Sequence, residues 1–189
     1  MWRPKKPNLI LPGDDEFAYA DPYLCSLMPQ RMMMAAGGGG YRYHMLNITA
    51  NNGHSSLIVM EFEIWVDATK YPYPGITTEM TSYTAPSPLV CTVFETATDE
   101  GWQAFSTAGV DRWYKTSCSF PTWLKIDLGA GNQIMPTGYK VQGANGANPT
   151  MAPKDFTFQG SNDDSAWDTL LTVTGETSWS NEEVRTYTI

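Results

Sequence analysis

The chain has 189 residues, enough for one ordinary domain with a sizeable core plus an extension. Its 42% hydrophobic and 13% aromatic residues are too many for a disordered chain, and its 17% charged residues are too few for a fold built of surface helices. The formal net charge of −8 argues against nucleic acid or an anionic membrane as a partner, because both are bound largely through Lys and Arg.

Residues 1–40 read as an extended arm and hinge rather than a domain. Pro4, Pro7, Pro12, Pro22 and Pro29 punctuate them, and proline blocks helix interiors and central strands. The same stretch carries Leu9, Ile10, Leu11, Phe17, Tyr19, Tyr23, Met32, Met33 and Met34. An extended segment that cannot bury these side chains on itself is expected to anchor on another surface, and methionine fits irregular surfaces well. Gly37, Gly38, Gly39 and Gly40 form the hinge. The only basic cluster, Arg3, Lys5 and Lys6, is followed by the short apolar run Leu9-Ile10-Leu11, well below the roughly 7–15 residues of a signal peptide core. No run approaches the ~20 apolar residues of a membrane span. The expectation is a chain made in a cytoplasm, without membrane insertion.

From residue 41 to 189 the texture is that of short strands split by turns. Tyr41–Thr49 is followed by Asn51-Asn52-Gly53, a hairpin signal. Leu57–Val66 alternates as one strand, with Ile58, Met60, Phe62, Ile64 and Val66 on one face and Glu61 and Glu63 on the other. In Trp123–Leu128, Leu124, Ile126 and Leu128 oppose Lys125 and Asp127. Phe156 and Phe158 alternate with Thr157 and Gln159; Leu170-Leu171 and Val184–Ile189 supply further strands. Loops are expected at 84–88, 143–153, 161–165 and 175–181. No segment has helical periodicity. The fold class is all-β, a sandwich or barrel. Cys25, Cys91 and Cys118 are odd in number and lack metal-ligand spacing, so all three are expected to be free thiols.

Three blocks carry a family resemblance. Ala104-Phe105 leads to Asp111-Arg112-Trp113-Tyr114; then come Trp123-Leu124-Lys125-Ile126-Asp127-Leu128-Gly129 and Pro153-Lys154-Asp155-Phe156 through Gln159-Gly160-Ser161-Asn162-Asp163 to Trp167 and Leu170. In order and spacing they resemble discoidin-like domains (F5/8 type C, galactose-binding-domain-like). The stretch Tyr41-Arg42-Tyr43 with Asn51-Asn52-Gly53 and Met60-Glu61-Phe62-Glu63 is similar to the pattern that usually closes such a domain. Here it comes first. The resemblance therefore implies a circularly permuted jelly-roll sandwich over 41–189, its usual last strands moved to the front. An alternative is that residues 41–66 complete a neighbouring subunit's sandwich. The permuted arrangement also resembles virion proteins of tailed bacteriophages, such as tail fibres and other appendages.

No catalytic motif is present. The histidines are His44 and His54, and no Ser/His/Asp spacing or phosphate-binding glycine loop accompanies them. Glu61 and Glu63, two apart on one strand, read as a solvated face rather than an acid–base pair. The resemblance implies a structural calcium site, but Ser106, Thr107 and Ala108 stand where its loop should supply ligands, leaving Glu61 and Asp111 as the remaining ones. No cofactor is expected. The resemblance also places Trp113, Trp123 and Trp167 in the core, while Trp102, Tyr114, Phe120 and Trp179 lie in or beside loops. Tyr114, Phe120, Asn145 and Asn148 are the expected rim of a glycan site, because rings stack on sugar faces and amides bond hydroxyls. The Asn47-Ile48-Thr49 sequon falls within a strand and reads as chance.

The sum is a non-enzymatic structural component of a bacteriophage virion, located in the particle as a tail, appendage or capsid-decorating protein. Its expected partners are other virion proteins, copies of itself and host surface polysaccharide. The alternative is a carbohydrate-binding receptor-recognition module of a tail fibre.

Overall fold

The structure is a computed structural model that describes residues 39–67, 69–71, 79–94, 100–106, 112–145 and 148–189. The arm residues Leu9 to Met34, Cys25 and Asp111 lie outside the described residues.

β1 (Tyr43–Asn51), β2 (Leu57–Val59), β3 (Glu61–Val66), β4 (Thr69–Tyr71), β5 (Val90–Val93) and β6 (Trp113–Lys115) are followed by β7 (Thr122–Asp127), β8 (Gly138–Gln142), β9 (Pro153–Ser161), β10 (Asp168–Val173) and β11 (Val184–Thr188). They form a five-stranded sheet ordered β10-β9-β1-β7-β5, a four-stranded sheet ordered β11-β8-β3-β4 and the short pair β2-β6. All the pairings are antiparallel. The helical content described is two short 3-10 turns, Gly101–Phe105 and Pro149–Met151. This is an all-β sandwich of the discoidin-like kind.

The two large sheets face each other through apolar side chains on alternate positions. Leu46 and Ile48 of β1, Leu124 and Ile126 of β7, and Phe156 and Phe158 of β9 meet Phe62, Ile64, Tyr139 and Val141 of the other sheet. Phe158 stacks on Tyr139 at 4.2 Å and on Phe62 at 5.9 Å between centroids, which ties the sheets together directly. Trp113 and Phe105 are fully buried in the same core.

Residues 41–66 complete their own chain's sandwich. β1 is the middle strand of its sheet, with Leu46 opposite Leu124 on one side and Phe158 on the other. β3 lies between β8 and β4. The chain enters at Gly40, whose carbonyl accepts from Asn162 Nδ2 at 3.0 Å, while Arg42 N–H donates to Asn162 Oδ1. Tyr41 pairs with Ile134, and Ile189 N–H donates to Thr137 O. The start and end of the sandwich therefore sit three residues apart on one segment, at most ~11 Å along the chain. That proximity is what a permuted order requires.

Four expectations are corrected. The Asn51-Asn52-Gly53 turn forms, with Gly53 at φ 95° and its N–H donating to Asn51 Oδ1, but it does not join a hairpin, because β1 and β2 belong to different sheets. Leu57–Val66 is two strands, not one: the chain changes partner at Met60, from β6 to β8, and Leu57 to Met60 are buried on both sides. Trp123 and Trp167 are not in the core; both are half-buried around Lys125 on the outer face of the five-stranded sheet. Trp179 is not a loop ring but is buried in the main core. Cys91 is buried in the main core, and burial pushes its thiol up.

Candidate functional site

Beyond the main core lies a small second one, made of Ile58, Met60, Ala144 and Met151 with Tyr114 packed against it. Each part has a local cause. Tyr114 is the middle residue of β6 and sits opposite Ile58 across the short pair. Pro149 starts a single 3-10 turn whose Met151 N–H donates to Asn148 O, dropping the Met151 side chain onto the cluster. Ala144 follows Gly143 in a loop braced from behind, where Gly143 N–H donates to Glu183 O and Glu182 N–H to Ala144 O.

Arg112 and Asn145 close the rim. Arg112 Nη1 donates to Asn145 Oδ1 at 2.6 Å, and the guanidinium carbon lies 5.3 Å from the Tyr114 ring centroid. A guanidinium has five N–H donors in a fixed plane. One meets the side-chain oxygen of Asn145, whose amide nitrogen carries N–H donors of its own. An aromatic ring, an arginine and an amide on an apolar floor have the chemistry to stack on one face of a ligand and to donate to oxygens at its edge.

The sequence-predicted residues divide accordingly. Tyr114 and Asn145 come together through Arg112. Asn148 is exposed at the start of the turn that brings in Met151. Phe120 is partly buried and packs on the main core, as does Trp102. Glu61 stands on the solvent-side register of β3, opposite Gln142. Glu63 accepts from Trp65 Nε1 at 2.6 Å and lies 3.9 Å from Lys140 Nζ. Among the described residues no three His, Cys, Asp or Glu side chains converge as metal ligands. Arg112 and the apolar floor were missed as site elements. The signal for Arg112 was present, since it directly precedes the Trp113-Tyr114 step of the family motif.

The loop that carries Asn145 is held by a packing contact that can be tested. A Cβ added to Gly143 would lie 2.6 Å from Trp179 Cε3. Trp179 cannot retreat: its Nε1 donates to Pro153 O at 2.9 Å and Arg185 covers its ring at 4.1 Å. Arg185 is in turn fixed by Glu183 and Glu176. Gly143→Ala is expected to destabilise the fold by about 1–3 kcal/mol, read as a lower denaturant midpoint.

A second depression, of about 260 Å³, is lined by Tyr41, Ser161, Asn162, Asp163, Ala166 and Asp168. Tyr41 Oη donates to Asp168 at 2.9 Å. Asp163 Oδ1 accepts from the backbone N–H groups of Ala166 and Ser165, which hold its carboxyl down at about 2. These bonds close the loop on itself.

Arg112, Tyr114 and Asn145 thus gather beside the small second core of an antiparallel sandwich. A family model, the F5/8 type C domain, matches residues 92–189, just over half of the chain, and the chain belongs to that family. Domains of this family are generally non-catalytic modules that bind carbohydrate or protein. No curated protein and no solved structure matches the chain.

Proposed function

We propose that this chain is a non-catalytic binding module displayed on a bacteriophage virion, and that it holds a glycan or protein ligand at the loop end built by Arg112, Tyr114 and Asn145. The observation that carries the binding site is the Arg112–Asn145 hydrogen bond beside the Tyr114 ring, above the floor of Ile58, Met60 and Met151. The arm supplies the attachment: Leu9, Ile10, Leu11, Phe17 and Met32 to Met34 are apolar groups in a proline-broken segment, suited to lying on another virion protein or a second copy of this chain. The order of motifs, closing pattern first, supports the virion assignment through its likeness to tail-fibre and appendage proteins.

Binding to a glycan array drawn from bacterial surface polysaccharides tests the site. Tyr114→Ala and Arg112→Ala are each expected to weaken binding about tenfold, the loss of one stacking contact or one charged donor. Absence of any glycan or protein ligand, or binding unchanged in both variants, overturns the site. The virion assignment has its own test. Peptides of this chain are expected in purified particles, and deletion of residues 1–38 is expected to leave a folded sandwich that no longer joins them.

A further inference from the structure

We propose that the outer face of the five-stranded sheet is a second, separate binding surface, for a neutral polysaccharide chain laid across the strands over Trp123 and Asn47. The proposal goes beyond the loop-end reading and does not depend on it.

Alternation decides which side chains lie here. On β7, Leu124 and Ile126 point into the core, so Trp123 and Lys125 point outward. On β1, Leu46 and Ile48 point inward, so Tyr43 and Asn47 point outward. Trp123, Phe94, Tyr43 and Trp167 are all half-buried, yet belong to neither core cluster. Phe94 leans on Trp123 with centroids 6.0 Å apart. Lys125 Nζ sits among the others, 5.2 Å from the Trp123 centroid and 5.9 Å from those of Tyr43 and Trp167. The result is a patch of rings on a sheet surface, where solvent-facing side chains are ordinarily small and polar.

The chemistry beside the rings selects the ligand. Asn47 lies directly between Trp123 and Thr157 in the sheet register. Its amide makes no side-chain hydrogen bond among the described residues. Gln159 donates to Thr157 Oγ1 at 3.0 Å, which leaves its carbonyl oxygen to accept. Amide groups flanking an aromatic shelf fit a ligand with one apolar face and an edge of hydroxyls, which is a sugar ring.

The charges decide between neutral and anionic sugars. Lys125 is held by both oxygens of Asp164, at 2.5 and 2.7 Å, and Arg42 makes a two-pronged pair with Asp127 at 2.6 Å on each arm. Lys125 and Arg42 are therefore already matched by carboxylates, and the whole chain carries −8. An acidic polymer would have to displace a carboxylate; a neutral one displaces only water. From Thr157 on β9 across β1 and β7 to Phe94 is three strand spacings, about 14 Å, so the ligand is a chain rather than a single sugar.

Affinity electrophoresis of the full chain in gels containing galactomannan, mixed-linkage β-glucan or dextran tests this. At least one polymer is expected to retard the protein. Trp123→Ala and Asn47→Ala are each expected to weaken that retardation about tenfold at an unchanged melting temperature, with Trp123→Phe between them and the parent. Tyr114→Ala should leave it intact. No retardation by any of the three polymers overturns the proposal, as does unchanged binding in both Trp123→Ala and Asn47→Ala. Binding lost in Tyr114→Ala but kept in Trp123→Ala assigns the polymer to the loop end and overturns the sheet-face site alone. A change of oligomeric state in Trp123→Ala without polysaccharide binding assigns the face to a second copy and overturns it too.

Discussion

A chain cut to residues 79–189 is expected not to fold, although it contains the whole 92–189 segment that carries the family match. The cut removes β1 from the middle of the five-stranded sheet, leaving β7 and β9 with unpaired inner edges. It also removes β3, which pairs with β8 in the other sheet. Leu46, Ile48, Leu57, Val59, Phe62 and Ile64 are lost with them, and each is at most 1% exposed. At ~1.5–3 kcal/mol for each fully buried apolar side chain, their removal costs about 9 kcal/mol or more, as much as the net stability of a typical domain. Flat far-UV circular dichroism and no thermal transition are the expected readings. A cooperative melt from the truncated chain would mean that residues 41–66 decorate a sandwich already complete.

The same geometry predicts the rescue. Appending residues 39–71, which include β4, after Ile189 through a flexible linker of six to eight residues, about 20 Å when extended, should restore the transition. The distance is small because Tyr41 and Ile189 hydrogen-bond to Ile134 and Thr137 of one short segment. This re-ordered chain has the strand order of an ordinary member of the family. Its melting temperature is expected within a few degrees of the parent's, because the strand pairings are kept and mainly loop closure differs.

The fold was legible where one residue's neighbours in sequence decide its environment. In β7 and β9 the alternation of apolar and polar residues gave the buried set, Leu124, Ile126, Phe156 and Phe158. The family pattern implied a core position for Trp123, but strand alternation in β7 puts it on the side of Lys125, and the structure follows the alternation. Residue-level periodicity was the better guide there. It failed at Leu57–Val66, where continuous burial from Leu57 to Met60 marks a strand passing between two partners, a condition set by β6 and β8 far along the chain.

The site was legible only in part, for the same reason. Tyr114 and Asn145 belong together because Arg112 bridges loops 33 residues apart, which no local pattern encodes. Trp179 looked like a loop ring because it stands among polar residues. Its burial depends on Gly143, which has no side chain to hold it off, and on Arg185 lying over its outer side. Long-range pairing decides both cases.

Between pH 6.5 and about 4 the protein is expected to lose stability through a single buried histidine, His44. His44 is fully buried in β1. Its Nε2 lies 3.0 Å from Tyr41 O, a carbonyl that only accepts, so Nε2 carries the proton. Nδ1 is then the bare nitrogen, and Tyr139 Oη donates to it at 3.3 Å. The folded state holds a neutral imidazole with both nitrogens partnered. Burial disfavours the imidazolium and lowers the pKa from 6.5 to about 4, against the smaller opposing pull of the Tyr41 carbonyl. The unfolded chain therefore binds a proton that the folded chain refuses. Stability from this group is complete above about 6.5 and falls as the pH drops towards about 4, by roughly 3 kcal/mol in total at ~1.4 kcal/mol per unit. Asp163 and Glu183 act lower. Backbone N–H donors hold Asp163 down and Arg185 holds Glu183 down, so their contributions are lost only as the pH falls below the ordinary carboxylate range. Denaturant midpoints at half-unit steps from pH 7.5 to 4 check the prediction. His44→Gln, whose amide can still donate to Tyr41 O and accept from Tyr139, should start less stable but show a flattened slope across that window. A slope in His44→Gln equal to the parent's would place the acid sensitivity elsewhere.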